Sequence, residues 1–182
     1  MIDVKNYKKS DVLKDGTAIT IRTVRPEDKQ MMRDAFYDLE RESRYTRYFG
    51  FKDHVTDEEL KKATEVDFEK EVALVITIIV AGKEIIIGGG RYILLTAASD
   101  TAPAAEVAFT IEEDYQGNGL ASRLFGHLAD IARSKGVSAF EAEVLPQNKA
   151  MLAVFASRGL PMDKKYIDGL IHVTLFLDGN GL

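Results

Sequence analysis

The chain has 182 residues, 46% hydrophobic and 29% charged, with a formal net charge of −5 and no cysteine. Such a length and composition suit one domain, expected to span residues 1–182 with its core over about 17–177, and no apolar run is long enough to cross a membrane. The lack of thiols excludes disulfides, thiolate metal sites and a cysteine nucleophile; His54, His127 and His172 fall in no metal-ligand spacing; and the acidic balance disfavours wholesale nucleic-acid binding.

Met1 to Asp15 is polar and expected to be a loose lead-in, and the lack of an apolar signal region at Met1 to Lys5 makes the cytoplasm the default location. Thr17 to Arg22 alternates as a half-buried strand does. Arg25-Pro26-Glu27-Asp28 then opens a helix: proline is pre-set for a first turn and the acids suit the N-terminal dipole. Met31, Met32, Ala35, Phe36 and Leu39 form its core stripe. Glu40 to Phe51 is dense in arginines and aromatics, and Thr56-Asp57-Glu58-Glu59 starts another capped helix. Glu71 to Val80 and Glu84 to Thr96 predict a hairpin turning at Gly82-Lys83-Glu84. Within its second strand, Gly88-Gly89-Gly90 predicts a bulge or a close approach, the bulge alone being the simpler account. A loop over Ala97 to Pro103 leads to a strand at Glu106 to Ile111. The helix from Leu120 to Lys135 carries a stripe of Leu120, Leu124, Leu128, Ile131 and Ala132 and stops before Gly136, a C-cap. Ser138 to Leu145 predicts a strand, Gln147 to Ser157 a short helix and Leu170 to Leu177 a final strand. With no internal repeat or linker, the fold class is one mixed α/β (α+β) domain.

Between the strand ending at Ile111 and the helix beginning at Leu120 lies Gln116-Gly117-Asn118-Gly119-Leu120-Ala121. Strand, glycine-rich turn and helix form a phosphate-binding layout, because small residues let backbone N–H groups approach an anion and the helix N-terminus adds its positive dipole end. A dinucleotide is one candidate ligand: Gly117-x-Gly119-x-x-Ser122 approximates the Rossmann fingerprint, and Glu141 follows about 20 residues on. Against it, serine replaces the third glycine, Glu112, Glu113 and Asp114 delay the turn, and the preceding strands look antiparallel. No Gly-Lys-Ser/Thr follows, which excludes a Walker A loop.

Gln116-x-x-Gly119-x-Ala121 matches the Gln/Arg-x-x-Gly-x-Gly/Ala signature of the GNAT acyltransferase superfamily, and Asn148-x-x-Met151-x-x-x-Phe155-x-x-x-Gly159-Leu160 is similar to that family's second motif. The resemblance covers about residues 17–177 and implies the GNAT fold, a central mixed, mostly antiparallel sheet flanked by helices, with acetyl-CoA as co-substrate and no metal. Ile21-Arg22-x-x-Arg25-Pro26-x-Asp28, Glu42-Ser43-Arg44-Tyr45-x-Arg47-Tyr48-Phe49 and Ala105-Glu106-Val107-Ala108-Phe109 further resemble the acetyltransferase domain of bacterial protein lysine acetyltransferases.

Carried onto this chain, the resemblance implies that the pyrophosphate rests on backbone N–H groups of Gln116, Gly117, Asn118, Gly119, Leu120 and Ala121. It implies that the pantetheine arm pairs like an extra strand with the backbone of Phe109, Thr110 and Ile111, where an N–H polarises the thioester carbonyl. Glu106 is the expected general base, with Glu143 in reserve. Asn148 is expected to bond the coenzyme, cap a helix, or both. Phe155 stands where many members place a tyrosine general acid, so the thiolate must leave with help from water or another hydroxyl; Tyr115 is expected to pack rather than catalyse. With no cysteine nucleophile, direct transfer to an amine is expected. A protein lysine is the preferred acceptor, with a small-molecule amine, a non-catalytic acyl-CoA-sensing module and a nucleotide-binding interaction domain as alternatives. No nucleic-acid or membrane partner is expected, and the protein is expected to be a monomer or homodimer. Arg41 to Phe51 is expected to cover the acceptor side or to form a solvated, partly buried helix end, and its cations could contact a carboxylate of the acceptor or a coenzyme phosphate.

Overall fold

The computed structural model describes residues 2–95 and 103–179, so the loop expected at Ala97 to Pro103 lies outside the described residues except for Pro103. Eight strands form one sheet: β1 (Lys8–Val12), β2 (Ala18–Thr23), β3 (Glu71–Val80), β4 (Lys83–Leu94), β5 (Ala104–Ile111), β6 (Ala139–Val144), β7 (Met162–Ile167) and β8 (Leu170–Phe176). Their order is β1-β2-β3-β4-β5-β6-β8-β7, and every neighbouring pair is antiparallel except β5 with β6. That parallel pair is joined only over Ala104–Glu106 and Ala139–Glu141. Beyond it the two strands part. Five helices flank the sheet: α1 (Lys29–Asp38), α2 (Arg41–Tyr48), α3 (Asp57–Thr64), α4 (Leu120–Ser134) and α5 (Lys149–Ala156).

The sheet is buried on both faces at its centre. Val72, Leu74 and Ile76 of β3 join the large core under α4 and α5, while Ala73 and Val75 join a second cluster with Val24, Ile86, Met31, Met32 and Ala35 on the α1 side. Burial on two sides explains why β3 is an unbroken apolar run rather than an alternating one. On α4 the stripe Leu120, Leu124, Leu128, Ile131 and Ala132 is buried, as its spacing predicts. The helix ends in a Schellman motif: Gly136 N donates to Arg133 O, Val137 N donates to Ala132 O, and Gly136 has φ +80°.

The bulge of β4 falls just before its glycines, which themselves allow a close approach. Register passes from Ile76↔Gly88 to Thr77↔Ile86, so Ile87 is the extra residue of a bulge. A Cβ on Gly90 would also stand 2.6 Å from the Phe109 ring and 3.0 Å from Leu124, so close approach of α4 requires glycine there as well. The β3–β4 turn is Ala81-Gly82, both at positive φ, one to two residues earlier than the sequence reading placed it.

Two strands were not anticipated, and for one reason. β1 is exposed along its whole length and β7 along nearly all of it, so neither shows the alternation that marks a half-buried strand. The polar lead-in therefore contains β1, pinned by the buried Val4 and Leu13 at its flanks. β7 pairs with β8 through Asp168-Gly169, both at positive φ, and that Asp-Gly dipeptide is a hairpin signal the sequence did carry.

The start of α1 also differs from expectation. Asp28 does not face solvent to meet the helix dipole; it is 2% exposed and bonds Arg22 through both guanidinium nitrogens, at 2.8 and 2.9 Å. The same carboxylate accepts the backbone N–H of Arg25 at 2.8 Å. This pair ties the chain entering α1 to β2. Among the described residues no helix is long and apolar enough to cross a membrane.

Candidate active site

A short 3-10 turn, Glu113–Tyr115, carries the chain from β5 to the glycine turn, which explains the late arrival of the glycines. Glu112 accepts from Asp114 N at 3.4 Å, so the acids build this turn. Crowding with Asp114 and Glu113 adds to the main effect of burial in raising the Glu112 pKa. Gln116 Nε2 donates to Ile111 O at 2.9 Å and Asn118 Nδ2 to Tyr115 O at 3.1 Å, clamping the turn to the strand end. Gly117 and Gly119 adopt φ of +76° and +73°, the left-handed region that favours glycine. A Cβ on either would meet nothing within 4 Å, so the space above them is open. Gly119 directly precedes α4, and no side chain caps that helix. Its first N–H groups, including those of Leu120 and Ala121, are left for an anion, with the helix dipole behind them.

β5 presents two faces. Ala105, Val107, Phe109 and Ile111 are buried toward α4, with the Phe109 ring 5.9 Å from Phe125 and 6.3 Å from Phe155. Phe109 and Ile111 therefore offer a ligand their backbone rather than their side chains, as does Thr110 at the strand edge. Past Glu106 this edge has no strand neighbour on the β6 side. An extended ligand arm can add there as a strand would.

Glu106 is exposed on the opposite face of β5, at the last residue that pairs with β6. Its lateral neighbour is Glu141, which the sequence reading had considered only as a ribose-binding acid. Glu143 follows on the same face of β6, its carboxylate 3.6 Å from Nδ1 of His172. Three carboxylates thus share one face where the strands part, a grouping that depends on a pairing across 35 residues of chain and that no local pattern announces.

Asn148 caps α5, its Oδ1 accepting Met151 N at 3.1 Å. Tyr115 packs against the core, and burial raises its pKa first of all. Phe155 is 1% exposed within the Phe109–Phe125–Phe155 cluster, so this position is core. Among the described residues no cluster of three His, Cys, Asp or Glu is placed to hold a metal.

On the Glu106 face, α2 crosses β5 and a cavity of about 380 Å³ lies between α1–α3 and strands β4 and β5. Phe36, Arg47, Tyr48, Gly89, Ala108 and Thr110 are among its lining residues. Burial pushes the Arg47 guanidinium below its ordinary range; Arg91 adds to this, while Tyr48 and Glu106 oppose it. Arg41 to Phe51, expected to cover the acceptor side, lies on the Glu106 face of β5, and the position of Arg47 depends on packing that the sequence alone did not show.

A parallel-strand split beside a glycine turn at a helix N-terminus suits a protein that binds an extended, phosphorylated ligand. The sequence profile described as the acetyltransferase (GNAT) family matches residues 33–160. Acetyltransferase PA5475 of Pseudomonas aeruginosa is 31% identical over 139 residues, covering 76% of this chain and 73% of that protein. Acetyltransferase Pat of Mycolicibacterium smegmatis is 31% identical over 147 residues, 81% of this chain but 42% of its own length. Among solved structures, the GNAT domain of S. lividans PAT superimposes with a TM-score of 0.82 at 29% identity, covering 93% of this chain and 96% of that one. The chain belongs to the GNAT family of acetyltransferases, enzymes that move an acetyl group from acetyl-CoA to an amine.

Proposed function

We propose that the chain is one cytoplasmic catalytic domain that transfers an acetyl group from acetyl-CoA directly to the side-chain amine of a protein lysine, with Glu106 as general base. The observation that carries this reading is the position of Glu106, solvent-facing on β5 where β5 and β6 part. A lysine amine has a pKa of about 10.4 and must lose a proton before it attacks. The Glu106 carboxylate takes that proton, directly or through one water, as the nitrogen bonds to the thioester carbon. Backbone N–H groups at Phe109 to Ile111 support the charge that develops on the carbonyl oxygen. The carbon–sulfur bond then breaks and the thiolate leaves; a thiol pKa of about 8.5 makes this departure easier than that of an alkoxide, consistent with a phenylalanine at position 155.

The backbone of Gln116 to Ala121 holds the pyrophosphate in this reading, and the Asn148 side-chain amide reaches the coenzyme while its oxygen caps α5. The resemblance of the Arg22 to Asp28, Glu42 to Phe49 and Ala105 to Phe109 segments to bacterial protein lysine acetyltransferases supports the acceptor. The second reading, a small-molecule amine, draws on the cavity of about 380 Å³, which has the volume for one. The test is Glu106→Gln, expected to lower kcat by about 10²–10⁴-fold with acetyl-CoA affinity unchanged. An unaltered kcat between about pH 6 and 9 would refute the general-base role.

A further inference from the structure

We infer that the acceptor lysine lies beside an acidic residue in its protein, and that α2 with Phe49 and Phe51 is the surface that receives this acidic segment. The inference rests on the protein-lysine reading above and adds the substrate's local sequence. Three arginines, Arg41, Arg44 and Arg47, stand against one carboxylate, Glu42, within α2 of a chain whose net charge is −5, while the following Lys52 pairs with Glu59. Elsewhere Arg22, Arg33, Arg91, Arg123 and Arg133 each pair with a carboxylate, while Arg25 and Arg158 form no salt bridge among the described residues. Among the described residues, none of the three α2 arginines forms a salt bridge.

Rings hold them instead. Arg41 lies over Phe51 at 5.3 Å, Arg44 over Phe36 at 5.3 Å and Arg47 over Tyr48 at 5.1 Å. A guanidinium stacked on a ring keeps its in-plane N–H donors at its edge; Arg44 gives Nη1 to Lys52 O at 3.5 Å and its Nε is buried, so Arg41, the exposed one of the three, is the arginine most open to a carboxylate. Two of these rings are open to solvent, Phe51 at 76% and Tyr48 at 42%, while Phe36 is buried; the neighbouring Phe49 is 43% exposed. Phe49 ends α2 in the left-handed region at φ +54°, uncommon for a bulky residue, and its ring is not held there by burial. Exposed aromatics ringed by arginines have the composition of an interface core rather than of an ordinary surface.

Across the site, the wall of opposite sign is made by Glu106 and Glu141. α2 packs against β5, the strand that carries Glu106, so the two walls lie on the same face of the sheet. An ammonium entering between them is drawn to the glutamates, while a carboxylate on an adjacent residue is drawn to α2. A lysine with basic neighbours would set like charges against the arginines.

The experiment measures acetylation of a set of lysine peptides identical except for flanking Asp/Glu, Ala/Ser or Lys/Arg, with the unaltered protein, Arg41→Glu and Phe51→Ala. Acidic-flanked peptides are expected to exceed basic-flanked ones by about tenfold or more in kcat/KM, mainly through KM and decreasingly so at high salt. Arg41→Glu should narrow or invert that preference, Phe51→Ala should raise the KM of the acidic peptides, and neither should move the KM of acetyl-CoA. Equal turnover of all peptides overturns the docking inference and leaves the lysine reading standing. Turnover of a small amine with none of any peptide overturns both. A raised acetyl-CoA KM in Arg41→Glu assigns α2 to the coenzyme and overturns the inference.

Discussion

Asp28→Asn removes the charge that ties the start of α1 to β2 while keeping nearly the same shape. Asp28 and Arg22 are each 2% exposed and share two hydrogen bonds, and Asp28 takes a third from the Arg25 backbone. Removing one partner of a buried ion pair costs about 3–5 kcal/mol, because the other charge stays buried without compensation. Arg22 retains Glu84 at 3.1 Å, a partner only 36% exposed, so the lower end of that range, about 3 kcal/mol, applies. That is a large share of the ~5–15 kcal/mol stability of a typical domain. At about 2–4 °C per kcal/mol for a chain of this size, the melting temperature should fall by roughly 6–12 °C. Urea unfolding followed by circular dichroism checks the same quantity: the midpoint should drop with the slope unchanged. The double variant Arg22→Met/Asp28→Leu should recover part of the loss, since it leaves no buried guanidinium unpaired while Glu84 and the Arg25 N–H still lose a partner. A loss under about 1 kcal/mol for Asp28→Asn would show that the pair does not carry the anchoring described above.

Asn148 allows its two roles to be separated. Its Oδ1 caps α5, while its Nδ2 makes no hydrogen bond among the described residues. Asn148→Asp keeps a capping oxygen, so stability should hold within about 0.5 kcal/mol, yet loss of the amide donor should raise the acetyl-CoA KM; an unchanged KM would leave the cap as its whole role. His127 makes stability depend on pH: burial is the main cause that lowers its pKa from the ordinary 6.5, and Asp130 and Asp11 only partly offset it. The folded state therefore binds this proton less readily than the unfolded chain. Its contribution is intact above about pH 6.5 and is lost as the pH falls through that value toward the folded pKa. The Tyr7 hydroxyl lies 2.5 Å from His127 Nδ1, which ties the N-terminal segment to the same titration. His127→Gln should flatten the fall in urea midpoint below about pH 6.5, and an unaltered fall would assign it to other groups.

By itself the sequence determined the features that depend on a few neighbouring residues. The period-two run of β2, the α4 stripe with Gly136 behind it, the Thr56–Glu59 capping box and the glycine turn were all legible, because spacing and φ preference act locally. Edge strands were not: β1 and β7 bury almost nothing, so their pairing leaves no alternation to detect. Nor could spacing show that Asp28 turns inward to Arg22, that Glu141 stands beside Glu106, or that Arg47 comes to lie near both Arg91 and Glu106. Those relations join residues far apart in the chain, and only the stacking of helices on a sheet, with its one parallel pair, brings them together. The glycine turn was therefore written in the local sequence, while the charge pattern on the Glu106 face of the sheet was decided by the tertiary structure.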